Sequence, residues 1–277
     1  MTYRGVQSTT VNMQGHRGDT IEAYVARPEG EGAFPGVVVI HHYPGWDEWT
    51  LELTLKLANH GFATIAPHLW HRFGPGDPDD VGARGRGAGG MADDEVVGDV
   101  AGAARYLRSQ PYNNGKVGII GFCSGGRQVY IAACKLSDID AAVDCWGGGV
   151  IIDDESKLDE KRPVAPITMT SDLNCPLLGI FGNDDDNPPP SEVDRTEEEL
   201  KRLGKTYEFY RYDGAGHAFF STDRYRYRPE QAVDAWSKIY AFFGRHLQPT
   251  GAAGGPTRWI GASPNVSLSG TVPLRPS

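Results

Sequence analysis

The stretch Lys116-Val-Gly-Ile-Ile-Gly-Phe-Cys-Ser-Gly-Gly126 decides how the rest of the chain is interpreted. Its first half is a short apolar run rich in β-branched residues, which is typical of a buried strand. Its second half places a glycine two residues before Cys123 and another two residues after it. The sequence therefore predicts a strand that turns sharply at Cys123 and continues as a helix from about Ser124.

The spacing Gly-x-Cys-x-Gly is that of a nucleophile elbow, with cysteine where the motif usually carries serine. Side chains at the glycine positions would collide with the neighbouring strand and helix, so glycine relieves the crowding. The helix that begins at Ser124 directs its N-terminal amides at the Cys123 sulfur, which favours a thiolate and can hold an oxyanion. A buried structural cysteine in an ordinary strand-to-helix turn is the alternative interpretation.

The composition narrows the class of protein. The chain has 277 residues, enough for one large α/β domain, and a net charge of −9 without a block of Lys or Arg. We therefore expect no nucleic-acid partner. The sequence has no apolar run of membrane-spanning length and no signal-peptide pattern, so we expect no membrane association and a cytoplasmic location. Three further cysteines lie in or beside apolar stretches without a C-x-x-C pair, and we expect them in the core: Cys134, Cys145 and Cys175.

Predicted strands and helices alternate along the chain, which indicates an α/β fold with a mostly parallel central sheet and helices on both faces. Leucines alternate in residues 49–59 as in a strand, but we predict a helix there because two parallel strands need a crossover. The predicted strands are 9–13, 20–27, 36–40, 62–66, the elbow strand, 141–146, 176–181 and 206–212; the other predicted helices are 94–109, 124–136, one from 191 and 229–246.

We assign residues 1–248 to a single domain. Within it, residues 67–92 are rich in Gly, Pro and Asp and are predicted to form a long loop close to the active site, since loops of this length are usually functional or mobile. Residues 249–277 are rich in Gly, Pro and Ser, lack any periodicity and are predicted to form a C-terminal tail.

Three features stand at the carboxyl ends of predicted strands: Cys123, the run from Asp184 to Asp186, and His217. Their chain order is nucleophile, acid, histidine. A cysteine thiolate attacks acyl carbon, a histidine takes and returns the proton, and a carboxylate orients the imidazole. We favour Asp185 as that carboxylate. The alternatives are that all three acids are solvated loop charges and that His217 is a structural histidine.

The loop His41-His42-Tyr43-Pro44-Gly45-Trp46 follows the predicted central strand 36–40. Ligands bind in α/β sheets at the carboxyl ends of such strands, so backbone amides of this loop are candidates for one half of an oxyanion hole. A plain strand-to-helix turn is the alternative.

With these motifs the chain resembles the dienelactone hydrolase family, also called carboxymethylenebutenolidases, over roughly residues 15–246. The matching stretches are residues 121–126, residues 182–185 with Pro189, residues 216–219 and residues 37–45. The resemblance implies an α/β-hydrolase fold, hydrolysis of a cyclic enol ester or related small-molecule ester or lactone, and no cofactor. It also implies a triad of Cys123, His217 and Asp185 with an oxyanion hole from the backbone amides of Tyr43 and Ser124.

The sequence departs from the family pattern at two places. Family members that act on dienelactone carry a Glu in the loop after the third strand, where this chain has His42. They also bind the substrate carboxylate with arginines; Arg72 lies near one such position, and Arg224 and Arg226 lie close to the other. His42 is predicted to bind substrate or to help set the charge of Cys123; a structural role, donating to a backbone carbonyl, is the alternative. The candidate substrate-binding residues are His42, Trp46, Arg72 and Phe219.

Other functions remain open at this point. The first alternative is a carboxylesterase or thioesterase on the same fold. The second is a redox-responsive or binding protein whose Cys123 reacts with oxidants, although no resolving Cys lies in a C-x-x-C motif. The third is metal binding by His41, His42, His68 and His71, whose spacing fits no ligand motif, so no metal site is predicted.

Overall fold

The computed structural model describes residues 5–222 and 225–248. Within them, the strands are β1 Val6–Gln14, β2 Thr20–Pro28, β3 Phe34–Ile40, β4 Ala63–Pro67, β5 Asn113–Phe122, β6 Ala141–Cys145, β7 Leu177–Gly182 and β8 Tyr207–Tyr212. They form one sheet in the order β1-β2-β4-β3-β5-β6-β7-β8. The β1–β2 and β2–β4 pairs are antiparallel and every pair from β4–β3 to β7–β8 is parallel. The sheet therefore has a hairpin at one edge and a parallel body.

The helices cover both faces of this sheet. They are α1 Glu48–Asn59, α2 Pro78–Gly87, α3 Asp93–Ser109, α4 Ser124–Lys135, α5 Pro190–Arg202 and α6 Pro229–His246. Alternate residues of β3 point to opposite faces: Val38 packs in a cluster with α3, α4 and α5, whereas Val39 packs in a cluster with α1 and α6. All seven residues of β3 are buried, as expected for a parallel strand covered on both sides. The predicted α/β fold class is confirmed.

The ambiguous segment 49–59 is helix, as predicted. Asp47 caps α1 by accepting a hydrogen bond from the Thr50 amide at 3.0 Å. Leu53 and Leu57, four residues apart, are the leucines of α1 that are buried against the sheet. The alternation of leucines in the sequence was therefore incidental, and the crossover requirement decided the structure.

The predicted loop over residues 67–92 is wrong in part, because the segment contains a short 3₁₀ helix, Leu69–Phe73, and the helix α2. The many glycines of this segment have low helix propensity, so the sequence gives no sign of α2. Two of them allow close packing: a Cβ on Gly82 would lie 2.1 Å from the Pro44 carbonyl oxygen, and one on Gly85 would lie 2.3 Å from the Trp70 ring. Tertiary contacts, rather than helix propensity, therefore place α2 over the loop that follows β3.

The predicted tail, residues 249–277, lies outside the described residues, and the assignment of residues 1–248 to one domain stays a prediction. Among the helices that the structure describes, none combines the length and the apolar character needed to span a bilayer.

Candidate active site

Cys123 lies between β5 and α4, with φ 55° and ψ −120°. This backbone conformation is strained for any residue other than glycine. The flanking glycines make the turn possible, because a Cβ on Gly121 would lie 2.2 Å from the Gly125 carbonyl oxygen and one on Gly125 would lie 2.4 Å from that of Ile40. The crowding expected from the Gly-x-Cys-x-Gly spacing is present, and the half-buried sulfur sits at a sharp strand-to-helix turn.

Backbone strain is concentrated around this edge of the sheet. Of the four non-glycine residues with positive φ among those described, three belong here: Cys123 after β5, Trp146 after β6 and Ala218 beside His217. The Trp146 ring contacts the His217 ring, with centroids 6.4 Å apart. Clusters of strained residues occur at functional sites, where the surrounding packing holds them in place.

His217 and Asp185 meet at this edge although 32 residues separate them in the chain. The Nδ1 atom of His217 donates to Oδ2 of Asp185 at 2.9 Å. Asp185 is only 4% exposed, whereas Asp184 and Asp186 are exposed. The structure therefore selects the middle carboxylate of the three, and its neighbours face water.

Two further hydrogen bonds hold Asp185 in place. Its Oδ1 accepts from the Asn187 amide at 2.8 Å. The Asp184 amide donates to the Ala215 carbonyl at 2.9 Å, which ties the acid loop to the loop that carries His217. Backbone hydrogen bonds of the two loops thus hold the pair together.

The pKa of His217 reflects these partners. Burial lowers it, but the hydrogen bonds with Asp185 and with the Cys123 sulfur outweigh burial and raise the pKa to about 9. Because Nδ1 is bound to Asp185, Nε2 is the ring nitrogen left for the sulfur. With this pKa the ring is a cation beside Cys123 at neutral pH.

The loop after β3 packs against the first turn of α4. A Cβ on Gly125 would lie 2.7 Å from the His41 carbonyl oxygen as well as against that of Ile40. The amide of Gly45 donates to the His42 carbonyl at 3.1 Å and closes the loop into a turn around Tyr43. The backbone segments that carry the Tyr43 and Ser124 amides are therefore neighbours at the nucleophile turn.

His42 has a partner that the sequence analysis did not identify. Its Nε2 lies 2.6 Å from Oδ2 of Asp47, and its ring packs on Trp49 with centroids 4.7 Å apart. The sequence left open a structural role in which His42 donates to a backbone carbonyl. In the structure the ring binds a carboxylate instead. Asp47 lies two residues before the predicted helix 49–59, and no sequence pattern links an N-cap to a histidine five residues earlier.

Two candidate substrate-binding residues are placed differently from the prediction. The guanidinium of Arg72 binds Asp99 at 2.6 Å and Asp19 at 2.8 Å, so its charge is already paired within the fold. Phe219 is fully buried, with its ring 5.2 Å from that of Trp146. These positions do not support contact with substrate, because a group that is paired or enclosed is not presented to a ligand.

Two cavities lie near the candidate residues. The first, about 390 Å³, is bordered by the acid loop, His217 and Arg226. The second, about 520 Å³, is bordered by Trp46, His68 and His71. Trp46 is half-buried, stacks on His68 and donates its Nε1 to the Ala66 carbonyl at 2.9 Å. Arg224 lies outside the described residues.

The three remaining cysteines are buried, and the histidines considered as metal ligands belong to no metal-binding cluster among the described residues. Burial raises the pKa of Cys134 and of Cys175 to about 12 and raises that of Cys145 well above its usual value, and all three lie in the core as predicted. Over residues 5–222 and 225–248, His, Cys, Asp and Glu side chains form no group of three or more that could hold a metal ion.

Comparison with known proteins places the chain among characterised sequences and folds. The sequence model described as "Dienelactone hydrolase family" matches residues 21–247. A Synechocystis protein named "Putative carboxymethylenebutenolidase" is 30% identical over 82% of this chain and 93% of its own length. A Bradyrhizobium protein named "Probable 2-oxo-3-(5-oxofuran-2-ylidene)propanoate lactonase" is 28% identical over 84% of this chain and 92% of its own length. The crystal structure of a "Putative Dienelactone Hydrolase" from Klebsiella pneumoniae superposes with a TM-score of 0.78 at 28% identity, covering 86% of this chain and 98% of that one.

Proposed function

The chain belongs to the dienelactone hydrolase family, and on that premise we propose that it hydrolyses carboxylic esters and lactones with Cys123 as the nucleophile. That it is a hydrolase of ester or lactone bonds follows from the family. The proposal concerns the residues that carry the reaction and the substrate class. One observation supports it above all: a cysteine at a strained elbow lies beside a histidine whose Nδ1 is held by a buried aspartate.

The first half of the reaction acylates the enzyme. The Cys123 thiolate attacks the carbonyl carbon, a C–S bond forms, and the carbonyl electron pair moves to oxygen as an oxyanion. Backbone amides of Tyr43 and Ser124 donate to that oxygen. As the intermediate collapses, the C–O bond breaks and the departing oxygen takes the proton of His217, leaving a thioester.

The second half releases the product. Neutral His217 accepts a proton from water while the water oxygen attacks the thioester carbonyl. Collapse of this intermediate breaks the C–S bond, regenerates the thiolate beside protonated His217 and frees the carboxylic acid. Asp185 keeps Nδ1 protonated and stabilises the imidazolium throughout. For a lactone, the acid and the leaving oxygen remain on one product molecule.

The surroundings of His217 favour small esters and lactones as substrates. The cavity bordered by His217 holds about 390 Å³, a volume that accommodates a small molecule, and Cys123 is not among the described residues that line it. Arg226 borders the same cavity, so we propose that a substrate bearing a carboxylate is bound there in preference to a neutral one. His42 and Trp46, in the loop after β3, remain candidate substrate contacts; Arg72 and Phe219 do not enter the proposal.

The decisive experiment removes the sulfur. We expect Cys123→Ala to lower ester turnover by a factor on the order of 10⁴ or more, since the covalent step is lost. Iodoacetamide should abolish turnover of the wild-type enzyme in step with alkylation of Cys123, and Cys134→Ala, at a buried cysteine, should not prevent this. Full turnover in Cys123→Ala would show that the proposed mechanism is wrong.

A panel of substrates addresses the substrate class. Five- and six-membered lactones, with and without a carboxylate, should be compared with aryl esters and acyl thioesters at equal concentration. We expect kcat/KM to be highest for a carboxylate-bearing lactone. A preference for thioesters would instead favour the thioesterase alternative on the same fold.

A further inference from the structure

His41 is the first residue after β3, and its environment is unusual for a histidine. The side chain is 1% exposed, and burial lowers its pKa to about 3. The ring is therefore neutral throughout the pH range in which the enzyme works. Its Nδ1 lies 2.8 Å from the carbonyl oxygen of His42, the next residue.

This contact determines which nitrogen of His41 carries the proton. A carbonyl oxygen only accepts hydrogen bonds, so Nδ1 must be the protonated nitrogen. The Nε2 atom is buried and has no hydrogen-bond partner among the described residues. The ring is thus held at one end only, and its polar contact is made to the backbone of the loop that follows β3.

The carbonyl that His41 contacts belongs to the peptide whose amide is the proposed oxyanion donor. The peptide between His42 and Tyr43 is planar, with its C=O and N–H pointing in opposite directions. Its oxygen accepts from two donors, Nδ1 of His41 and the Gly45 amide at 3.1 Å. Two donors on the oxygen fix the direction of the Tyr43 N–H and increase its polarity.

The backbone beneath this peptide has little freedom to compensate. The main chain at Ile40 and His41 is in close contact with Gly125, the second residue of α4. A rotation of the His42–Tyr43 peptide would change the direction of the Tyr43 amide. The imidazole of His41 opposes that rotation from within the core.

We propose that His41 is a positioning residue that holds the Tyr43 amide towards the oxyanion of the acyl-transfer transition state. This inference rests on the proposed function, since it needs an oxyanion at this place. Charge develops on the substrate oxygen only in the transition state, so His41 acts on kcat and has little effect on ground-state binding.

Two amide substitutions test which nitrogen of His41 matters. The side-chain nitrogen of His41→Asn can occupy the place of Nδ1, whereas that of His41→Gln falls near the place of Nε2. We expect His41→Gln to lower kcat about 100-fold with KM changed less than about threefold, and His41→Asn to recover most of that loss. Both variants should alkylate with iodoacetamide at the wild-type rate, because attack on a saturated carbon generates no oxyanion.

The outcomes separate the possibilities. Equal losses of kcat in the two variants, or alkylation that slows together with turnover, would mean that His41 only supports the fold and would overturn the inference. Cys123→Ala is measured alongside: if it keeps turnover, the proposed function fails, whereas if it loses turnover and His41→Gln keeps it, only the role of His41 fails.

The tautomer of His41 can also be measured in the wild-type protein, so this test does not depend on the folding of a variant. In an enzyme labelled with ¹⁵N-histidine, the His41 ring should show a protonated Nδ1 and an unprotonated Nε2 across the working pH range. The opposite tautomer would leave no donor for the His42 carbonyl and would overturn the inference.

Discussion

Among the described residues, two histidine–aspartate pairs are joined by hydrogen bonds shorter than 3 Å, and of these two rings that of His217 lies beside Cys123. A third pair, His71 and Asp99, is looser at 3.6 Å. His217 binds Asp185 through Nδ1 at 2.9 Å, on the loops after β8 and β7. His42 binds Asp47 through Nε2 at 2.6 Å, within the loop after β3. The shorter distance belongs to the pair that has no place in the proposed proton transfer.

The two carboxylates differ in their remaining partners. Asp185 accepts a backbone amide of its own loop, and its charge is otherwise directed at His217. Asp47 also accepts the amide and the hydroxyl of Thr50, both at 3.0 Å, as the N-cap of α1. The carboxylate of Asp185 therefore mainly orients the His217 ring, whereas that of Asp47 links the loop after β3 to the first turn of α1. A histidine–aspartate contact is catalytic or structural according to the ring nitrogen that is left free and the group that it faces.

The largest effect is expected when the catalytic pair loses its ring. His217→Ala should lower ester turnover by a factor on the order of 10⁴, because His217 supplies the proton of the leaving oxygen in the proposed mechanism. The measurement is steady-state turnover of an aryl ester. As a matched control, His60→Ala removes the half-buried histidine that follows α1 and should stay within about threefold of wild type. Comparable losses in both variants would contradict the assignment.

A somewhat smaller effect is expected for Asp185→Asn, by a factor of about 10²–10⁴ in turnover. The exposed neighbours offer matched controls, and Asp184→Asn and Asp186→Asn should each change turnover less than about threefold. If Asp184→Asn is the damaging variant, the choice among the three carboxylates is wrong.

The same variant should shift the pH profile. Protonated His217 supplies the proton to the leaving oxygen, so wild-type turnover should fall as pH rises through about 9, where the ring loses its proton. The Asp185 carboxylate raises the pKa of His217, so Asp185→Asn should move this alkaline fall to lower pH by about one unit or more. If the alkaline fall in turnover stays at the same pH in Asp185→Asn, deprotonation of His217 is not its cause.

For the second pair, Asp47→Asn should lower turnover by about tenfold or less, since it loosens the loop that carries the Tyr43 amide without touching the proton transfer. Because asparagine is as good an N-cap as aspartate, the free energy of unfolding should fall by less than about 1 kcal/mol, through the weakened contact with His42. A loss as large as that of Asp185→Asn would make the two pairs equivalent, contrary to the geometry.

The smallest effect on turnover is expected for Arg72→Met. The change leaves the fully buried Asp99 without its closest cation, so the free energy of unfolding should fall by about 3–5 kcal/mol. Arg195→Met breaks the exposed pair with Asp153 and should cost less than about 1 kcal/mol. Urea titration compares the two; a raised KM at unchanged stability would restore Arg72 as a substrate contact.

Much of the fold was accessible from hydrophobic patterning. The hairpin, the parallel strands and the elbow each carry a local signal, because buried strands are short apolar runs and the turn needs glycine on both sides of Cys123. The helix α2 has no such signal, since Gly82 and Gly85 suppress helix propensity and are explained only by their contacts with Pro44 and Trp70.

The candidate site residues could be predicted from their residue types and their order along the chain. Their contact partners could not be predicted. Cys123, Asp185 and His217 follow strands, and parallel strands bring their carboxyl ends to one edge. Arg72 and Phe219 looked equally suitable, yet one is paired with Asp99 and the other is enclosed by aromatic rings. Sequence spacing gives no information on which long-range neighbour satisfies a charge.

The sequence alone determined the order of strands and helices, the strained position of the cysteine and the identity of the groups that follow each strand, since all of these depend on local patterns. The tertiary structure alone decided which of three adjacent carboxylates is buried, which nitrogen of each histidine is engaged, and that the His41 ring contacts the His42 carbonyl. These properties depend on burial and on hydrogen-bond direction, and both arise only when segments far apart in the chain are packed together.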